Sequence, residues 1–308
     1  MAVTNTAIAI HDVTRRFGAT VAVDRLTLDV RAGEIFAIVG PDGAGKTTLM
    51  RLICGALELD EGELFVGGVD ITTDTAKVQG SIGYMPQRFS LYPDMSLMEN
   101  LKFYSDIFGV ASREYGERAR ALLEEFGLEQ FPDRLAEQLS GGMKQKLALA
   151  CTLIHRPSTI LLDEPTAGVD PLSRREFWRI LYTINRRGTT IFVSTPYMDE
   201  AERANRVALM ARGAILACGT PSELKEKLPG DVIEIACAQR GAARRALRDD
   251  PFVRSVEIFG ETLHALVPAS SDAIEQMTKR LRGAGIVDVR LRKIPPSLED
   301  AFVAELAS

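Results

Sequence analysis

The run Gly40-Pro41-Asp42-Gly43-Ala44-Gly45-Lys46-Thr47 fits the pattern GxxxxGK[ST]. A short apolar run at 34–39 precedes it and a helix-like pattern begins at Lys46, which is the context this pattern needs. Glycines let successive backbone N–H groups turn inward around an anion, and the N-terminus of the following helix adds a favourable dipole. The chemistry is the cradling of a nucleoside triphosphate with Mg²⁺. Lys46 reaches the β- and γ-phosphates, the Thr47 hydroxyl ligates the metal, and Thr48 belongs to the same contact set. Chance alone produces the four fixed positions in about one chain of this length in a hundred.

A second candidate lies at Ile160-Leu161-Leu162-Asp163-Glu164, an apolar strand ending in two carboxylates. In a chain that already has a phosphate loop, Asp163 is placed to hold Mg²⁺ through water. Glu164 then polarises the attacking water, because phosphoryl transfer to water requires a metal and an adjacent base. Taken alone, the same residues are equally a solvated strand end. A third candidate is Leu139-Ser140-Gly141-Gly142. A serine and two glycines opening a helix form either another anion site or a serine cap followed by turn glycines.

These groups need elements to position them. Residues 7–10 and 21–30 alternate apolar and polar like half-buried strands. The runs 34–39, 160–162 and 190–194 read as short buried strands, and 113–126 and 142–154 as helices. The helix from Lys46 is expected to continue through LMRLICGAL. Strands alternating with helices imply a parallel sheet covered by helices. Beyond residue 228 the pattern changes after an LPGD stretch to strand 232–236, helix 242–248, strands 253–259 and 262–267, helix 271–282, strand 287–292 and a short helix after Pro296. That βαββαβ order suggests a small ferredoxin-like domain. The expected division is 1–228 and 229–308. The Arg240–Arg248 stretch reads as a solvated helix face.

Composition narrows the classes. With 46% hydrophobic and 26% charged residues the 308-residue chain can build ordinary globular cores. A net charge of −5 gives no support to a nucleic-acid partner. Cys54, Cys151, Cys218 and Cys237 stand far apart, which argues against a zinc site or a disulfide framework and fits a reducing compartment. The N-terminus does not read as a secretory signal, and no run of about 18 apolar residues suggests a membrane span.

With LSGG standing between the phosphate loop and the Asp163-Glu164 pair, the motif set resembles that of ATP-binding cassette (ABC) ATPases over residues 7–225. The resemblance implies an α/β P-loop NTPase cassette, with a mixed-sheet core and a helical signature subdomain. It implies a head-to-tail dimer in which each ATP lies between one phosphate loop and the opposing Ser140-Gly141-Gly142. Gln87, in Ile82-Gly83-Tyr84-Met85-Pro86-Gln87, resembles the glutamine that contacts Mg²⁺ and the water. Phe17 resembles the aromatic that stacks on adenine, a core phenylalanine being the competing reading. Ala167-Gly168-Val169-Asp170 matches the loop that crosses the dimer interface.

Several phrases, among them LSGGMKQKLALACTLIHRP and LLDEPTAGVDPLSRREFW, are similar to those of drug and polysaccharide exporters. The implied partners are a membrane-spanning subunit and a second cassette, identical or different. The implied location is the cytoplasmic face of the cell membrane. The segment Phe89–Phe108 would receive a coupling helix of the membrane subunit, ordinary helix core being the alternative.

One position departs from the family. Pro196 stands where a histidine usually contacts the γ-phosphate, and proline has neither a side-chain donor nor an N–H. The expectation is a site that binds Mg-ATP and hydrolyses it slowly, as in the His-lacking first cassette of tandem-cassette exporters. A non-catalytic regulatory subunit and a non-transport ABC ATPase remain as alternatives.

Overall fold

The computed structural model describes residues 5–88 and 91–307. The first half contains β1 (Thr6–Phe17), β2 (Thr20–Arg31), β3 (Ile35–Val39), α1 (Lys46–Ile53), β4 (Glu61–Val66), β5 (Val69–Asp70), α2 (Thr75–Ser81), β6 (Ile82–Met85), α3 (Leu97–Ile107) and α4 (Ser112–Glu125). There follow α5 (Gly141–Leu153), β7 (Thr159–Asp163), α6 (Pro171–Asn185), β8 (Thr190–Thr195), α7 (Met198–Ala201), β9 (Arg206–Ala211), β10 (Ala214–Gly219) and α8 (Pro221–Glu226). The chain ends with β11 (Asp231–Cys237), α9 (Arg240–Arg248), β12 (Ser255–Phe259), β13 (Thr262–Val267), α10 (Ala273–Gly283), β14 (Val289–Ile294) and α11 (Leu298–Ala307).

Two compact units are present, Met1–Ile215 and Leu216–Ser308, the division falling within β10. It lies ahead of LPGD because α8 packs on α11 inside the second unit.

In the first unit, β9, β3, β8, β7 and β6 lie side by side in that order and pair in parallel. Strands β3, β7 and β8 are buried at every residue, as parallel strands covered on both faces must be. A second sheet, β2-β1-β4-β5, is antiparallel and alternates buried with exposed positions along β2. Parallel and antiparallel sheets together make the expected mixed architecture. Helix α1 stops at Ile53, short of the expected end, because Cys54 caps it and Gly55 turns left-handed at φ +67°.

Helix α3 has a full capping box, Ser96 and Glu99 each accepting the other's backbone N–H. Leu97 and Leu101 are buried, so part of the 89–108 segment is helix core. Phe89 itself lies outside the described residues.

The second unit has the sheet order β12-β13-β11-β14, every pair antiparallel, as the βαββαβ reading requires. Helices α9 and α10 share a core with Ile233, Ile235, Leu263 and Ala265 through Leu247, Met277 and Leu281. Strand β12 starts at Ser255 rather than Val253, whose N–H closes a turn onto the Asp250 carbonyl. Helix α10 starts at Ala273, and β14 runs on to Ile294 to pair with Val232. Arg240 and Arg244 pair with Glu261 and Glu257 while Ala243 and Leu247 face inward, giving the expected solvated face. Among the described residues, no helix is long and apolar enough to cross a membrane.

Candidate functional site

Four parallel strands end side by side in the first unit. Val39 is registered with Thr195, Asp163 with Ser194, and Met85 with Leu162. Each strand delivers one part of the site from its carboxyl end, where open α/β sheets bind their ligands.

Strand β3 delivers the phosphate loop. Gly45 precedes α1 at φ +106°, a conformation open to glycine. A Cβ on Gly40 would stand 2.0 Å from the Met210 carbonyl oxygen, and one on Gly45 would stand 2.2 Å from that of Ala22. The loop is therefore pressed against β9 and β2, while Gly43 has nothing within 4 Å of its Cβ position and leaves the rim open. Pro41 and Asp42 are exposed on that rim and Ala44 is buried beneath it. Lys46 is only 4% exposed. Its ammonium donates to the carbonyls of Gly40 at 2.8 Å and Pro41 at 3.1 Å, and lies 3.7 Å from Glu164 Oε1. Thr47 and Thr48 are half-buried in the first turn of α1.

Strand β7 delivers the carboxylates. Asp163 is fully buried, and its Oδ1 accepts from Ser194 Oγ at 2.6 Å. Its Oδ2 is buried without a hydrogen-bond partner. An orphaned carboxylate oxygen is costly, and a bound cation or its water would satisfy it, so the donor set Thr47, Gln87 and Asp163 fits Mg²⁺. Glu164 has φ +49°, sparsely populated for a residue with a side chain. Its N–H is shared by the Ser194 carbonyl and Oγ, each at 3.1 Å. Gln87, two residues beyond β6, donates from Nε2 to Glu164 Oε2 at 2.8 Å. Beside these, burial and then the Asp163 charge push the Tyr84 phenol up to about 12, so it stays a neutral hydroxyl.

The structure thus brings Lys46, Gln87, Asp163 and Glu164 together. Phe17 is 47% exposed at the end of β1 with the Arg15 guanidinium over its ring, 5.0 Å from the centre, so the core alternative fails. Ser140 is exposed and caps α5, its Oγ accepting from Met143 N–H at 3.3 Å. Gly142 is held against α6, where a Cβ would stand 2.6 Å from Ser173 Oγ, whereas Gly141 faces open space. Among the described residues, the Ser140 side chain does not join the Lys46–Glu164 cluster. Asp170 caps α6 through the N–H groups of Leu172 and Ser173, and the Ser173 bonds hold its carboxyl below the usual range.

Sequence reasoning missed Ser194, which locks both Asp163 and Glu164, and a group formed by the buried Thr166, Thr195 and Glu200 with the half-buried Arg174. A Ser-Thr pair ending an apolar strand was the available signal for Ser194. Glu200 had none, standing among Asp199 and Glu202 in a polar run.

The ABC transporter family profile matches residues 23–167. The chain is 41% identical over 226 residues to the probable multidrug ABC transporter ATP-binding protein YbhF of Escherichia coli, covering 73% of this chain and 39% of that protein. It is 38% identical over 301 residues to the Nod factor export ATP-binding protein I of Sinorhizobium fredii, covering 96% and 85%. With the daunorubicin resistance ATP-binding protein DrrA3 of Streptomyces coeruleorubidus it shares 34% over 303 residues, covering 97% and 95%. Among solved structures, it superposes on a dimeric ATP-binding cassette in a post-hydrolysis state bound to ADP and Pi. The TM-score is 0.63 at 26% identity, with coverage of 69% of this chain and 98% of that one.

Proposed function

Because the chain belongs to the family of ABC transporter ATP-binding proteins, we propose that it binds Mg-ATP, hydrolyses it, and so drives an export-type membrane transporter. The observation that carries this reading is the convergence of Lys46, Gln87, Asp163 and Glu164 at adjacent strand ends. The names of the multidrug, Nod factor and daunorubicin relatives support the export class.

The functional division we assign is a nucleotide-binding domain at 1–228, which holds every motif residue, and an accessory domain at 229–308. The partners are a membrane-spanning subunit and a second cassette. The chain would work on the cytoplasmic side of the membrane, docked through the spanning subunit and the 89–108 region.

In this reading adenine stacks on Phe17, and the triphosphate enters the loop 40–47 with Thr48 at its base. Lys46 releases the carbonyls of Gly40 and Pro41 and turns its ammonium to the phosphates. Mg²⁺, held by Thr47, Asp163 and Gln87, would supply charge neutralisation on the phosphate oxygens. Glu164 takes the proton of the attacking water as its oxygen bonds to the γ-phosphorus and the bond from that phosphorus to the β–γ bridging oxygen breaks, ADP leaving with the pair, and Gln87 keeps that carboxylate aimed. Ser140 and the open turn of Gly141 serve the nucleotide of the opposing cassette.

Pro196 removes one donor to the γ-phosphate, and loss of a single transition-state contact typically costs about 10²–10³ in rate. The chain alone should therefore bind ATP and turn it over slowly. Pro196→His should raise turnover by up to about 10²-fold, measured as phosphate release by the purified protein. Rapid hydrolysis by the unmodified chain, abolished by Glu164→Gln, would overturn the slow-site reading. Failure to bind ATP at all would overturn the whole.

A further inference from the structure

We propose that Glu200 is a positioning residue that holds Glu164 and the 167–170 loop in register, an inference resting on the reading of Glu164 as the hydrolytic base. Glu200 lies in the four-residue helix α7 and is 1% exposed. Its Oε1 accepts from Thr166 Oγ1 at 2.6 Å and lies 3.2 Å from Arg174 Nε. Its Oε2 accepts from Thr195 Oγ1 at 2.8 Å. One buried carboxylate therefore ties together the segment leaving β7, the first turns of α6 and the end of β8. A charge this deeply buried persists only with such partners.

Glu164 hangs from segments tied in this way. Its N–H is held by Ser194, whose neighbour Thr195 is bound to Glu200. Its carbonyl accepts from Ala167 N–H at 3.1 Å, and Val169 N–H reaches the Thr166 carbonyl at 3.2 Å. The left-handed backbone of Glu164 needs surroundings that over-determine it, and this network supplies them.

Pro196 contributes stiffness in the place where a donor is missing. It fixes its own φ and keeps Thr195 extended, and the Thr195 hydroxyl also accepts Tyr197 N–H at 3.1 Å. The Arg174 guanidinium stacks 4.3 Å from the centre of the Tyr197 ring, closing the group on its outer side. Asp170, which caps α6, is the last residue of the 167–170 loop, so Arg174 carries the tie from Glu200 to that loop through the helix.

The test uses Glu200→Gln and Thr195→Val in the full chain, since Glu200→Ala would strip the half-buried Arg174 guanidinium of its partner and endanger the fold. Hydrogen exchange should become roughly tenfold faster in peptides covering 163–170 as well as 195–201, and stay unchanged in α1. Single-turnover hydrolysis, with protein in excess over ATP, should fall by up to about 10²-fold at unchanged ATP affinity. It should fall no further when Glu200→Gln is added to Glu164→Gln, and Glu200→Asp should recover part of the rate. Loosening confined to 195–201, or losses that add to that of Glu164→Gln, would overturn the proposal. If the unmodified chain shows no turnover, the reading of Glu164 fails, and the exchange at 163–170 alone decides the role of Glu200.

Discussion

At the scale of single residues, the phosphate loop shows how little freedom the chemistry leaves. Gly40 faces the Met210 carbonyl so closely that one methyl group would have to displace backbone, whereas Gly43 faces open space at φ +78°. Gly40→Ala should therefore destabilise the protein by about 1–3 kcal/mol, the usual cost of overpacking. Its ATP affinity should fall as the loop opens. Gly43→Ala should cost only about 1–2 kcal/mol of backbone strain. Paired denaturant titrations and fluorescent-nucleotide binding on the two variants check the contrast, and equal losses of affinity would contradict it. The pattern GxxxxGK[ST] fixes Gly40 and leaves position 43 free, and the neighbours supply the physical reason.

At the scale of elements, His155 joins three of them. It follows α5, stacks on Phe108 at the end of α3 with ring centres 3.8 Å apart, and donates from Nε2 to the Ile82 carbonyl of β6 at 3.0 Å. Nδ1 is buried without a partner, and burial lowers the imidazole pKa from its ordinary value of 6.5. The folded state therefore keeps the ring neutral at a pH where the unfolded chain binds a proton. Above about pH 7 this costs nothing; as pH falls through 6.5 towards the lower folded pKa, stability is lost. Thermal unfolding between pH 7.5 and 5.5 should show a larger drop in Tm for the natural protein than for His155→Asn. Equal drops would remove His155 from the account. Since β6 leads directly to Gln87, the loss falls on an element that serves the site. The capping box Ser96-x-x-Glu99 was readable as the start of α3, but the pairing of His155 with Phe108 was not, because it joins helices separated in sequence by α4.

At the scale of the whole molecule, the exposed turn at Ser140 and Gly141 is the part of the first unit to which the proposed function assigns a second chain. With Glu164→Gln and Mg-ATP, light scattering should report a doubling of mass, and Ser140→Arg should abolish it by filling the open turn. A particle that stays monomeric at tens of micromolar with saturating ATP would contradict the sandwich. The second unit builds its own core around Ile235, Leu263 and Leu281. Its element order was legible from alternating apolar runs, while the strand order β12-β13-β11-β14 came from pairings between distant segments.

The sequence alone determined what depends on neighbours along the chain. Consecutive N–H groups bind a phosphate, so the loop 40–47 is written in consecutive residues, and buried strands and helices announce themselves by their periodicity. Tertiary structure decided what depends on which strands lie side by side. Ser194 reaches Asp163 because β8 is registered with β7, and Glu200, one acid among several in a polar stretch, becomes a buried tie only once Thr166, Arg174 and Thr195 surround it. Most of these contacts join residues some thirty positions apart and leave no local pattern, since packing and not spacing selects them.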